Sequence, residues 1–196
     1  MKLVFATRNA HKLDEVRAIL AGEDLELLGL EHWPELGEIP EDHDTFELNA
    51  LQKARIVHAA TGLPTVADDS GLEVDALDGR PGVFSKRFSP EGTDAANNAR
   101  LLRELDGVVA RGARFRCVLA LVWDEGSCTV DGRCEGHIAR AARGEGGFGY
   151  DPLFVPDAAD GRAMAELSAA EKNAISHRGL AFNRLPQLLG LLSHPA

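Results

Sequence analysis

The stretch T-V-A-D-D-S-G-L-E-V-D-A, residues 65–76, decides how the chain is organised. Thr65, Val66 and Ala67 form an apolar run of strand character that meets two adjacent carboxylates, Asp68 and Asp69, and a Ser70-Gly71 turn. Alternation then resumes at Leu72, Val74 and Ala76. The expectation is a buried strand ending on Asp68-Asp69, with both charges at a sheet edge. Desolvation there is costly unless a cation or a reacting group compensates it. Taken alone, D-D-S-G is equally a polar turn, since Asp, Ser and Gly are standard turn residues. Features elsewhere in the chain weigh between the two.

Towards the N-terminus, Lys2 to Ala6 reads as a short buried strand. The loop T-R-N-A-H-K follows, then a helical period at Leu13, Val16, Ile19 and Leu20, closed by Gly22. A helix N-terminus presents unpaired N–H groups and a positive dipole end, so Thr7 to Lys12 is an anion-site candidate. The alternative is Asn9 as a helix cap with Lys12 on a solvated face. Glu26 to Leu30 reads as a second strand. Residues 31–43 form an acidic loop in which Glu41, Asp42 and the nearby Asp44 are either solvated or hard oxygen ligands for a metal. A helix is expected from about Thr45 to Ala60, capped near Asp44 and stopped by Gly62. Phe46, Ala50 and Val57 share one face of it, with Asn49 and Lys53 on or beside that face. A lysine there either snorkels to water or points at an anion.

Towards the C-terminus, L-D-G-R-P-G, residues 77–82, holds a tight turn. Thr93 or Asp94 starts a helix through Leu105, and Arg114–Trp123 and Thr129–Ile138 read as antiparallel strands joined by a turn at 124–126. In G-E-G-G-F-G-Y-D-P-L-F-V-P, residues 144–156, glycines flank Phe148 and Asp151 follows three residues on. That pattern suits a planar heterocycle needing a stacking surface and an edge contact, or a turn whose Phe148 plugs the core. Ser168 and Glu171 form a capping box opening a helix that Gly179 interrupts and that Pro186 kinks further on. Lys172, His177 and Arg178 concentrate donors in that segment.

Composition bounds the remaining possibilities. At 196 residues, 44% hydrophobic and 27% charged, the chain suits one soluble domain, and no linker is long enough to separate two independent ones. A net charge of −10 argues against non-specific binding to nucleic acid or anionic membrane, so a polyanionic ligand needs a local basic cluster or a divalent cation. Three cysteines without a C-x-x-C pair suit a reducing cytoplasm. Neither a signal-peptide core nor a membrane span is present in the sequence.

Five segments, T-R-N-A-H-K, F-E-L-N-A-L-Q-K-A, A-D-D-S-G-L-E-V-D-A-L, G-G-F-G-Y-D-P-L-F-V-P and E-K-N-A-I-S-H-R-G, together resemble the Ham1-like inosine/xanthosine triphosphatases. The resemblance implies an α/β fold with an elongated central mixed sheet flanked by helices, forming one two-lobed domain, residues 1–196, around a substrate cleft. It implies a homodimer and Mg²⁺-dependent hydrolysis of ITP, dITP and XTP to the monophosphate and pyrophosphate.

By resemblance, Thr7, Arg8, Asn9, Ala10, His11, Lys12 and Lys53 hold the triphosphate, and Glu41 and Asp69 bind metal, with Asp69 also the proton acceptor. Asp68 either adds a ligand or supports that site from behind. Ser70 touches substrate, Phe148, Gly149, Tyr150 and Asp151 hold the base, and Lys172, His177 and Arg178 contact base and phosphates. Three positions depart from the family pattern. Leu48 stands where an acidic residue is usual, His43 where glycine is usual, and Lys86 where a small residue is common. Two other readings remain distinct: a pyrophosphatase for modified pyrimidine or other nucleotides, and a nucleotide-binding regulator without turnover.

Overall fold

Parallel strands cannot be joined by a tight turn, so a helix must carry the chain back between them. The first third of the protein does this twice, as the computed structural model shows for residues 1–193. Strand β1 (Lys2–Phe5) leads through α1 (Ala10–Ile19) to β2 (Glu26–Leu28), and α2 (Phe46–Thr61) then leads to β3 (Thr65–Val74). Strand β1 pairs in parallel with both β2 and β3, the latter through Val4 with Thr65 and Phe5 with Val66. Helix α3 (Asp94–Glu104) precedes β4 (Gly112–Trp123) and β5 (Gly126–Ile138). The two residues between β4 and β5 permit only an antiparallel pair. Strand β6 (Phe154–Pro156) pairs antiparallel with β5, and the chain closes with α4 (Ala169–Ile175), α5 (His177–Phe182) and α6 (Leu185–Leu189). One mixed sheet results, ordered β2-β1-β3-β4-β5-β6, flanked by helices as the sequence led us to expect.

The chain divides into two compact units. The first comprises Met1–Asp69, Cys117–Gly132 and the segment from Arg178 onward. Its helices lie on both sheet faces, because alternate residues of a strand point to opposite sides. Leu13 and Val16 of α1 pack with Leu3, Phe5, Val66, Leu119 and Phe182 on one side, and Ala50, Ala54 and Val57 of α2 pack with Val4, Ala67 and Ala120 on the other. Phe5 and Phe182 meet edge to face with centroids 5.3 Å apart. With β1 between β2 and β3 and its two crossover helices on opposite faces, the strand order reverses between β1 and β3. A crevice for ligands opens at such a point, at the strands' C-terminal ends.

The second unit comprises Ser70–Arg116 and Arg133–His177. Its core gathers Leu72 and Val74 of β3, Leu101 and Leu105 from the α3 segment, and Phe115, Ile138, Leu153 and Phe154. The Phe115 and Phe154 rings meet 4.7 Å apart at 63°.

Four local expectations are corrected. Strand β3 does not end at Asp68-Asp69 but runs unbroken to Val74, so Ser70-Gly71 is strand rather than turn, in the middle of the sheet. What ends is its neighbour: β1 last pairs at Val66 and then leaves as the Thr7 loop. Helix α2 is capped by Thr45, whose hydroxyl accepts the Leu48 N–H, and not by Asp44. The C-terminal helix breaks at Ser176, which is extended at φ −70° and ψ 152°, while Gly179 lies inside α5. A glycine costs an exposed helix only about 1 kcal/mol, so packing overrides it. Pro186 starts α6 instead of kinking a longer helix, since its missing N–H is an orphan in the first turn anyway.

Phe182 is fully buried. Phe182→Ala should therefore cost about 3–5 kcal/mol of unfolding free energy in urea titration, the usual range for deleting a buried aromatic ring.

Candidate active site

Asp68 and Asp69 are neighbours in sequence and strangers in space. On an extended strand their side chains leave opposite faces of the sheet. Asp68 shares the side of Val66, towards α1 and α5, whereas Asp69 shares the side of Ala67, towards α2. Both are buried, at 1% and 6% exposure.

Asp68 is the centre of an ion-pair cluster. Lys12 donates to both its oxygens at 3.0 and 2.9 Å, Arg178 Nε lies 3.6 Å from Oδ2, and the Cys117 thiol donates to Oδ2 at 4.0 Å. Burial pushes this carboxyl's pKa up, but Lys12, Arg178 and Lys53 outweigh it and hold the group well below the ordinary range. Arg178 also donates to Glu15 of α1 at 2.5 Å. Glu15 was not singled out from the sequence, although it lies one turn beyond Lys12 on the same helix. The buried Cys117 thiol has its pKa raised by desolvation and by Asp68, which removes it from thiolate chemistry.

Asp69 is in the opposite electrostatic state. Burial raises its pKa, Lys53 and a 2.9 Å hydrogen bond from Asn49 Nδ2 offset part of that, and Glu41 adds to the rise, leaving the group above its ordinary value. Asn49 is held by the loop before α2: its Oδ1 accepts the His43 N–H at 2.9 Å and its Nδ2 donates to the His43 carbonyl at 3.1 Å. His43 does not adopt a positive φ, so its backbone conformation does not require the glycine usual in the family.

Lys53 is 6% exposed and donates to Glu41 at 2.5 Å and to the Asp68 carbonyl at 2.6 Å. It points at anions rather than snorkelling. Burial lowers its pKa, but Asp68, Glu41 and Asp69 more than restore it, so it stays charged. Glu41 is raised by burial and brought below its ordinary value by Lys53 and Lys12.

The Thr7–Lys12 loop closes the N-terminus of α1. Asn9 Oδ1 accepts the His11 and Lys12 N–H groups at 3.0 and 3.3 Å, and Thr7 Oγ1 accepts the Asn9 N–H at 3.2 Å. The cap reading of Asn9 holds, but Lys12 is not on a solvated face. Arg8 donates to the Leu36 carbonyl, and Ala10 and His11 are exposed. The Leu48 side chain is exposed, and its backbone N–H donates to the Thr45 hydroxyl that caps α2.

The second unit holds the remaining expected residues. Ser70 is half-buried on β3. Phe148 is half-buried, with the Lys172 ammonium 4.9 Å from its ring centroid, so it does not plug the core. Asp151 Oδ2 accepts both the Phe148 N–H at 2.9 Å and Lys172 at 2.8 Å. Gly147 adopts φ +71°, and a Cβ there would stand 2.0 Å from Asp151 Oδ2, so only glycine fits this turn. The Tyr150 side chain is 4% exposed and packs in the core, and its hydroxyl donates to the Ser85 carbonyl at 2.8 Å. An aromatic beside a glycine can face either way, and only packing chooses. His177 is buried and stacks on Phe115, centroids 4.7 Å apart and planes 16° apart.

The class is therefore an α/β protein with a carboxylate and lysine site at the reversal point of a parallel sheet segment. The Ham1 family model matches residues 3–188, and the chain belongs to that family. It is similar to the dITP/XTP pyrophosphatase of Nitratidesulfovibrio vulgaris, at 54% identity over 95% of this chain and 94% of that one. The dITP/XTP pyrophosphatase of Geobacter sulfurreducens is 52% identical over 96% of each. Among solved structures, the HAM1 protein from Coxiella burnetii superposes with a TM-score of 0.88, at 40% identity over 97% of this chain and 99% of that one.

The two aspartates predict opposite responses. A depressed carboxyl contributes stability that is complete above its unfolded pKa near 4 and is lost as pH falls below that towards the folded value. Asp68→Asn should thus cost about 3–5 kcal/mol at neutral pH, as expected when one partner of a buried ion pair is removed, and cost less in acid. A raised carboxyl burdens the folded state as pH rises through its pKa, so Asp69→Asn should raise the melting temperature at pH 7 and lose that advantage below pH 4. Thermal melts of both variants from pH 3 to 8 measure the two trends.

Proposed function

We propose that this protein hydrolyses the non-canonical purine nucleoside triphosphates ITP, dITP and XTP to the nucleoside monophosphate and pyrophosphate, clearing damaged purines from the nucleotide pool. The observation that carries the proposal is Asp69: a buried carboxylate with raised proton affinity, oriented by Asn49 and set beside Lys53. A group in that state suits a general base. The names of close relatives support the same reading.

Cleaving the α–β phosphoanhydride breaks a P–O bond, gives a water oxygen to phosphorus, and moves the water's proton to a base. Asp69 is that base. Lys12 and Lys53 neutralise phosphate charge, with Thr7 to His11 contributing the loop at the start of α1. Asp68 holds Lys12 and Arg178 in place and, saturated by cations, is not a metal ligand in this reading.

Magnesium is part of the proposal. Among the described residues no three His, Cys, Asp or Glu side chains form a metal cage. The donor set nevertheless fits, because Mg²⁺ characteristically uses one or two carboxylates together with substrate phosphates and water. Glu41 and Asp69 are two hard carboxylates, and Glu41 stands close enough to raise the proton affinity of Asp69. Bound there, the ion supplies charge neutralisation for the triphosphate and lowers the pKa of a coordinated water.

For the base, Phe148 offers the stacking surface, and Asp151, Lys172, His177 and Arg178 supply polar edges. The 6-oxo group of hypoxanthine and xanthine accepts hydrogen bonds from these donors, whereas the amino group of adenine leaves a buried donor unpaired. The family also carries a homodimeric assembly into the proposal, to be checked by sedimentation. Cytoplasmic placement is supported by three free thiols. Burial and nearby acidic groups push that of Cys134 up to about 12. Among the described residues no helix is long and apolar enough to cross a membrane.

Pyrophosphate release is to be measured for ITP, dITP, XTP, ATP and GTP with and without Mg²⁺. The first three should lead the others by roughly 100-fold in kcat/KM, and only with the metal present. Asp69→Asn should lower kcat by roughly 1,000-fold, about 4 kcal/mol of transition-state stabilisation, while Phe148→Ala mainly raises KM. An Asp69→Asn enzyme with near-normal kcat refutes the assignment. Ligand binding without turnover by the wild type would make the protein a regulator.

A further inference from the structure

One helix grips the two peptide groups that flank Gly149, in the loop that carries Phe148. The Gly149 N–H donates to Asp94 Oδ2 at 2.7 Å, and the Gly149 carbonyl accepts from Asn98 Nδ2 at 2.8 Å. Asp94 is the first residue of α3 and Asn98 lies four residues on, so both side chains rise from one side of the helix. The helix is a firm post: Thr93 caps it through the Ala96 N–H, and Leu101 and Leu105 anchor it in the core.

Gly149 is the pivot of the loop. It adopts φ +62°, while a Cβ added there would meet nothing within 4 Å, so its backbone conformation rather than lack of space calls for glycine. On one side of it Tyr150 is buried and tied to the Ser85 carbonyl, and on the other Phe148 is half-exposed beneath Lys172. Two neighbouring aromatics thus take opposite environments across one left-handed residue. The clamp from α3 fixes the planes of both peptides that flank Gly149.

We infer that Asp94 and Asn98 are positioning residues that set the orientation of the Phe148 platform, and through it the discrimination among purine bases. The inference rests on the proposed role of Phe148 and Asp151 in holding the base. Asp94 acts through the Phe148–Gly149 peptide and Asn98 through the Gly149–Tyr150 peptide, so their loss weakens base selection without removing the chemistry.

Asp94 supplies the decisive test because it is exposed and its substitution does not endanger the fold. Asp94→Asn and Asp94→Ala both delete a negative charge from the first turn of α3, with the same effect on the helix dipole. Only Asn keeps an acceptor for the Gly149 N–H. In the full-length enzyme with Mg²⁺, Asp94→Ala should raise KM for ITP and narrow the ITP-to-ATP ratio of kcat/KM by about 3- to 10-fold, the worth of one hydrogen bond. Its kcat should stay within about twofold, and Asp94→Asn should remain near the wild type. Asn98→Asp, which faces a carboxylate oxygen towards the Gly149 carbonyl, should be worse than Asn98→Ala. Equal behaviour of the two Asp94 variants overturns the inference, as do shifts in melting temperature with the substrate ratio unchanged. If the wild type shows no preference for ITP over ATP, the base-loop reading itself fails, and that result is visible before any variant is made.

Discussion

Everything at this site depends on the two-residue period of an extended strand. Asp68 and Asp69 occupy one dipeptide, yet the pleat sends them to opposite faces of the sheet, where they meet different helices. On one face Asp68 is saturated by Lys12 and Arg178 and stays ionised. On the other, Asp69 has an amide and a shared lysine, too little to offset its burial, and it keeps a raised affinity for a proton. The same residue type in adjacent positions is divided between a carboxylate saturated by cations and one with a raised affinity for a proton.

Lys53 links the two faces without joining their side chains. Its ammonium bonds the Asp68 backbone carbonyl and the Glu41 carboxylate, so the charge beside Asp69 is positioned by the strand's main chain. A buried lysine is costly unless its partners are in place, and three acidic side chains outweigh that cost here. Preorganised charge of this kind is what phosphoanhydride cleavage needs, since the reaction asks for neutralised phosphates, an oriented water and a base more than for a covalent partner.

Much of the architecture was legible. Turn and cap chemistry is local, so β1, α1, the Gly62 stop of α2, the Thr93 cap, the hairpin at 124–126 and the Ser168–Glu171 capping box all emerge from short segments. The errors share one cause. At Ser70-Gly71, at Gly179 and at Pro186 the residues have the chemistry of an interruption, but weak local preference yields to pairing and packing made elsewhere.

The sequence by itself determined the residue types available to the site and, through the resemblance of five ordered segments, the family to which they belong. It could not separate the tasks of Asp68 and Asp69, show that Glu15 backs Arg178, or tell that Tyr150 is core while Phe148 is not. Those distinctions depend on which groups stand within a few ångströms across long separations in the chain, such as Glu15 and Arg178, 163 residues apart. A carboxylate's protonation and a ring's exposure are properties of surroundings, and the surroundings exist only once the strands have paired.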